Sequence, residues 1–131
     1  MFYNQGYAGN MAARRYAAVH SGGRTEGATP HALVKILFDE LLLALEASAL
    51  AERQGDRVMV SDKQARAMSI LFALESSLDY DKGGDIAVGL TQIYREARRL
   101  LLVGAKERSA EPVDQARAIV AEIAEAWNQI G

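Results

Sequence analysis

"DYDKGG", residues 79–84, places two carboxylates, a lysine and two adjacent glycines in six positions, and its reading decides the class of the whole chain. As a calcium loop it makes the protein a sensor, as a phosphate cradle an enzyme, and as a turn one joint of a helical scaffold. An EF-hand loop needs oxygen ligands at positions 1, 3, 5 and 12, with glycine at 6. Counted from Asp79, Asp81 and Gly84 fit the third and sixth positions, but Gly83 offers no side-chain oxygen at the fifth and Leu90 stands where the bidentate glutamate belongs. A phosphate loop fails too, because no strand precedes the stretch and the G-x-x-x-x-G-K-[ST] order is absent. A helix–helix turn remains: Leu78 closes an apolar stripe, Gly83 takes the left-handed position after the helix, and Asp85 opens the next one.

The rest of the chain agrees with a helical scaffold. Thr29-Pro30 reads as an N-cap followed by proline in the first helical position, where its missing N–H costs nothing. That helix should run to about Arg53 and stop at Gly55-Asp56. Ser61 with Gln64 is a capping-box pattern, predicting a second helix to about Tyr80. A third is predicted from Asp85 to about Val103, stopped by Gly104, and a fourth from Pro112 to about Ile130, with Asp114 in its first turn. Short connections make successive helices antiparallel neighbours. The expected fold is therefore all-α, an antiparallel up-down four-helix bundle over residues 29–131. Residues 1–28 differ in composition: "MAARRYAAVH" can form a short helix, and "SGGRTEG" reads as a flexible linker. They are expected to be a mobile N-terminal arm.

Composition removes several function classes. The 131 residues suit one domain, and the formal charge of −2 does not suggest nucleic acid as a partner. No cysteine is present, so disulfides and thiolate metal sites are excluded. Apolar runs stop at five residues, against the roughly 20 of a membrane helix, so no membrane insertion is expected. "MFYNQGYAGN" lacks the features of a signal peptide, which makes a cytoplasmic protein the expectation. A bundle di-iron site wants Glu-x-x-His, but alanines, Ala17 and Ala28, stand three residues before His20 and His31. No metal, no cofactor and no catalytic residue are expected, since no nucleophile–base pair can be traced. His31 with Lys35 loosely resembles a histidine-phosphotransfer bundle, an alternative reading, although that histidine belongs mid-helix and His31 adjoins Pro30. "REARR", Arg95 to Arg99, contains Glu96 and reads as a solvated face.

What the bundle has in excess is hydrophobicity. In the last helix Ala116, Ile119, Val120, Ile123 and Trp127 form one stripe. The first long helix carries a core stripe, Leu33, Leu37, Leu41 and Ala44, flanked by Val34, Phe38 and Leu45. A second stripe, Ile36, Leu43, Ala47 and Leu50, lies well away from it. Likewise Ile70, Leu71, Leu74 and Leu78 supply the second helix's core face and leave Met68 and Phe72 to one side. A helix touching two neighbours needs a wide apolar arc, but together these residues are better explained as an exposed patch for a partner. Four such side chains offer roughly 6–12 kcal/mol gross at about 1.5–3 each. Ordering a disordered partner would take back roughly 2–5 kcal/mol or more. A helix-in-groove or wrap-around binder is expected, with the tyrosine-bearing arm shielding the patch when no partner is bound.

"TPHALVKILFDELLLAL" (29–45), "SILFALESSLDYDKGGDIAVGLTQIY" (69–94) and "AEAW" (124–127) resemble, in order and spacing, segments of the FliS family of flagellin-specific export chaperones. The matching positions are Pro30, Leu33, Leu37 and Phe38, then Leu78-Asp79 before Gly83-Gly84, then Leu90, Ile93 and Tyr94, and finally Trp127. Glu40 stands where many members carry a small residue, and the linker is longer than usual. The resemblance implies a helical bundle that binds the disordered C-terminal region of flagellin, prevents premature polymerisation and delivers it to components of the flagellar type III export apparatus. It also implies a tyrosine on an N-terminal segment covering part of the client groove, with Tyr16 the best fit and Tyr7 the second. Wheel and resemblance together nominate Ile36, Phe38, Leu43, Met68, Phe72 and Tyr94 as partner-binding residues of the bundle. Self-association through the same patch, as a weak homodimer, is the remaining reading.

Overall fold

The structure, a computed structural model, describes residues 29–130. Four helices follow one another: α1 Pro30–Gln54, α2 Arg57–Ser76, α3 Tyr80–Glu107 and α4 Glu111–Gln129. No strand occurs among the described residues. The helices pack as a ring, α1 against α2 and α4, and α3 against the same two, with no packing across either diagonal. With links of two or three residues this is the up-down arrangement expected. Its core joins Leu37, Leu41 and Leu45 of α1 to Ile70, Leu71 and Leu74 of α2, Leu101 of α3 and Val120 of α4.

The start of α1 follows the sequence reading, with Thr29 Oγ1 accepting the Ala32 N–H at 3.1 Å and Pro30 in the first position. Its end is a left-handed Gly55, φ 72°, whose N–H returns to the Glu52 carbonyl at 3.1 Å. The second helix departs from the prediction. Asp56 caps it at once, accepting the Met59 N–H at 3.0 Å, so Ser61 lies inside α2 and caps nothing. It also ends earlier, at Ser76, because Asp79 begins the next helix by accepting the Lys82 N–H at 3.0 Å.

The "DYDKGG" joint is thus one capped helical turn followed by a break. The break falls at Gly84, with φ 51° and ψ −128°, and not at Gly83 as expected. That backbone geometry suits glycine, and the helix resumes at Asp85. Tyr80 folds back across the break: its hydroxyl donates to Thr91 Oγ1, which itself donates to the Ala87 carbonyl at 3.0 Å. Gly104 does not stop α3, which runs on to Glu107 and ends at a left-handed Arg108, φ 53°. A Cβ at Gly104 would meet the Ser109 carbonyl oxygen and Val113 Cγ2, each at 3.0 Å, so this glycine lets α4 close onto α3.

Ring closure requires α1 to meet α4, which no short link joins. His31 and Trp127 do this at one end. The His31 ring stacks on the indole at 4.5 Å with planes 9° apart. His31 Nε2 donates to the Trp127 carbonyl at 2.9 Å, and Trp127 Nε1 donates to the His31 carbonyl at 3.0 Å.

Two glycine substitutions should have opposite signs. Gly104→Ala should lower stability by about 1–3 kcal/mol through overpacking. Gly89→Ala, where nothing lies within 4 Å of an added Cβ, should raise it by about 0.5–1 kcal/mol. Urea denaturation of both variants checks this, and equal signs would contradict the packing described.

Candidate functional site

The expected partner-binding residues divide by burial. Leu43 is 61% exposed and Leu50 55%, on the face of α1 turned away from the core. Lys35 with Asp39, at 3.3 Å, and Glu46 with Arg117, at 3.8 Å, share that face. Ile36 lies nearly covered at the edge towards α2, where Glu40 pairs with Arg66 at 2.7 Å. The acid at position 40 thus pins α1 to α2. Phe72 is 55% exposed and carries the Arg98 guanidinium over its ring, 4.2 Å from the centroid. Arg98 in turn pairs with Glu75 at 2.8 Å, so Phe72 belongs to the seam between α2 and α3. Met68 is half-buried and packs on the core.

Three of the nominated residues present little or no surface to a partner, and Ile36, 9% exposed, is one of them as part of the core. Phe38 is 1% exposed and meets Trp127 edge to face at 6.5 Å. It follows Leu37 and precedes Leu41 and Leu45 on the buried arc, so it packs as core. Tyr94 is fully buried, four residues beyond Leu90 and seven before Leu101. Burial pushes its phenol pKa far up. Tyr7 and Tyr16 lie outside the described residues, as does the expected arm.

Sequence reasoning missed a groove between α3 and α4. Ile86, Leu90, Ile123, Trp127 and Ile130 line an open apolar cavity of about 400 Å³, with Glu122 at its side. Leu90 and Trp127 are buried beneath it, whereas Ile86 and Ile130 are more than half exposed. The signal was present: Ile123 and Ile130 recur seven residues apart on α4, and Ile86 and Leu90 four apart on α3. The His31 stack holds Trp127 as the back wall.

Chemistry has little to work with elsewhere. His31, the histidine of the phosphotransfer reading, is committed to Trp127 through its ring face and Nε2. No group of three or more His, Asp or Glu is arranged to hold a metal among the described residues. The two-pronged Arg99–Glu96 contact, both bonds 2.8 Å, holds that carboxyl below its usual range, but both groups are exposed and such pairs contribute little. No helix among the described residues is long and apolar enough to cross a membrane.

The family model described as flagellar protein FliS matches residues 12–131. The flagellar secretion chaperone FliS of Salmonella typhimurium is 34% identical over 118 residues, 89% of this chain and 87% of that one. Its counterpart in Vibrio cholerae is 28% identical over 115 residues, covering 88% and 85%. The flagellar secretion chaperone FliS of Campylobacter jejuni is 24% identical over 121 residues, covering 92% and 91%.

The buried phenol has a measurable consequence. With the folded pKa of Tyr94 raised, its stabilising contribution is complete below the unfolded value of about 10 and is lost as pH rises past it. Tyr94→Phe removes that dependence. Between about pH 9 and 11 the melting temperature of the parent chain should fall more steeply than that of the variant; parallel curves by circular dichroism would contradict it.

Proposed function

The chain belongs to the FliS family of flagellar proteins, and from that premise we propose that it is a cytoplasmic export chaperone for flagellin. It holds the disordered C-terminal region of its client against apolar helix faces, prevents premature polymerisation and hands the client to the flagellar type III export apparatus. The observation that supports this best is apolar exposure on a bundle whose core is already complete: Leu43, Leu50, Phe72, Ile86 and Ile130 are all more than half exposed. Each large side chain of this kind yields about 1.5–3 kcal/mol on full burial, enough for a handful to order a client segment. Leu43 and Phe72 are its contacts on α1 and α2, with the half-buried Met68 beside Phe72. Residues 1–28 act as a separate arm from the bundle of 29–131, and Tyr16, or Tyr7, shields apolar surface until a client arrives. Recognition is by burial and needs no catalytic residue or cofactor.

Calorimetric titration of the full chain with a peptide from a flagellin's C-terminal region is the test. Saturable one-to-one binding is expected. Phe72→Glu and Leu43→Glu should each weaken it about tenfold or more, since about 1.4 kcal/mol of lost burial is a factor of ten. Folded protein that binds no flagellin tail from its own source overturns the proposal.

A further inference from the structure

The joint between α2 and α3 is held differently from the other two. Leu78 and Ala87 are buried, but every residue between them is at least partly exposed, Tyr80 and Ile86 about half or more. The α1–α2 joint has a similar run without a buried residue, 53–59, yet Arg53 on Asp114 and Arg57 on Glu52 pin it. The α3–α4 joint packs onto Gly104, whose carbonyl accepts the Ser109 N–H at 3.0 Å. Within 79–86 the charged side chains of Asp79, Asp81, Lys82 and Asp85 join no ion pair among the described residues. One side-chain hydrogen bond leaves the segment, from the Tyr80 hydroxyl to the buried Thr91 Oγ1. Thr91 is itself anchored by donating to the Ala87 carbonyl at 3.0 Å.

The backbone supplies a pivot. Gly84, φ 51° and ψ −128°, takes a conformation closed to L side chains, and no atom lies within 4 Å of an added Cβ, so it serves the bend and not packing. Asp85 and Ile86 follow in the first turn after the bend, where N–H groups find helical partners only on its far side. Few buried contacts and exposed backbone bonds mark a segment that opens at less cost than the whole fold. The segment also borders the α3–α4 cavity, to which it contributes Ile86. On the α4 side Trp127 is fixed by the His31 stack and bonds and by Phe38.

We infer that residues 79–86 are a hinged lip on this cavity. Latched by Tyr80 on Thr91, the lip holds Ile86 at the mouth. Unlatched, it turns about Gly84 and carries Ile86 away, so the cavity widens from the α3 side while Trp127 stays in place. A cavity with one fixed and one movable wall admits apolar groups of different bulk without disturbing a close-packed core. The lip belongs to the free chain, whatever fills the cavity.

Hydrogen exchange of the full chain, read by mass spectrometry, is combined with acrylamide quenching of Trp127, the sole tryptophan. Tyr80→Phe keeps the ring and removes the latch, so exchange over 79–88 should quicken about fivefold, the size of one net hydrogen bond. Exchange in the α1 and α4 core should not change, and acrylamide quenching should rise about twofold as the lip opens. Thr91→Val should behave like Tyr80→Phe, whereas Thr91→Ser, which retains the hydroxyl, should behave like the parent. Gly84→Ala, strained in the latched bend, should also quicken exchange over 79–88 and raise quenching. Exchange over 79–88 unchanged by both Tyr80→Phe and Thr91→Val shows that the bond is no latch and overturns the inference. Faster exchange with parent-like quenching shows a segment that opens without moving the cavity wall, and overturns it too. Faster exchange throughout the chain gives the Tyr80–Thr91 bond to global stability and likewise overturns it.

Discussion

The reciprocal contact of His31 with Trp127 is the interaction on which the rest of the bundle depends. Three seams of the ring, α1–α2, α2–α3 and α3–α4, are closed by links of two or three residues. The fourth joins the first helix to the last and has only side chains to hold it. At its far end stand Arg53 with Asp114 and, further along, Glu46 with Arg117, all largely exposed and therefore worth little. At the near end two hydrogen bonds and a ring stack bring the first turn of α1 onto the last turn of α4, where the indole is 3% exposed. Phe38 supports the same indole edge-on. Side chains that a wheel assigns to a partner are thereby absorbed in closing the ring, and the closed ring fixes Trp127 as the wall of the α3–α4 groove.

Much of the fold was legible because its signals are local. Thr29-Pro30 contains all that a helix start needs, and the spacing of Leu33, Leu37 and Leu41 marks the core face without reference to any other helix. The misreadings share a cause: a local signal with two meanings that only a distant contact separates. Ser61 and Asp56 both suit a cap, and the chain uses Asp56 because Gly55 has already turned it. Gly104 reads as a stop, yet its lack of a side chain serves Ser109 and Val113. A wheel gives the angle of Tyr94 but not that α3 lies between α2 and α4, and that packing makes Tyr94 core where a partner contact is expected. The groove went unseen for the converse reason, since Ile123 reads as core until the open space it shares with Ile86 and Ile130 is known.

The exposed apolar side chains do not form one continuous site. Leu43 and Leu50 face outward from α1, Phe72 sits at the α2–α3 seam under Arg98, and the cavity opens between α3 and α4. A rigid globular partner reaches one of these faces at a time. A disordered segment reaches all of them by wrapping, and the entropy it loses is set against several separate burials. On the proposed reading this geometry suits a client that must later leave. Contacts divided among faces give adequate affinity in sum, while each can be released separately, so unloading proceeds stepwise without the whole interface opening at once.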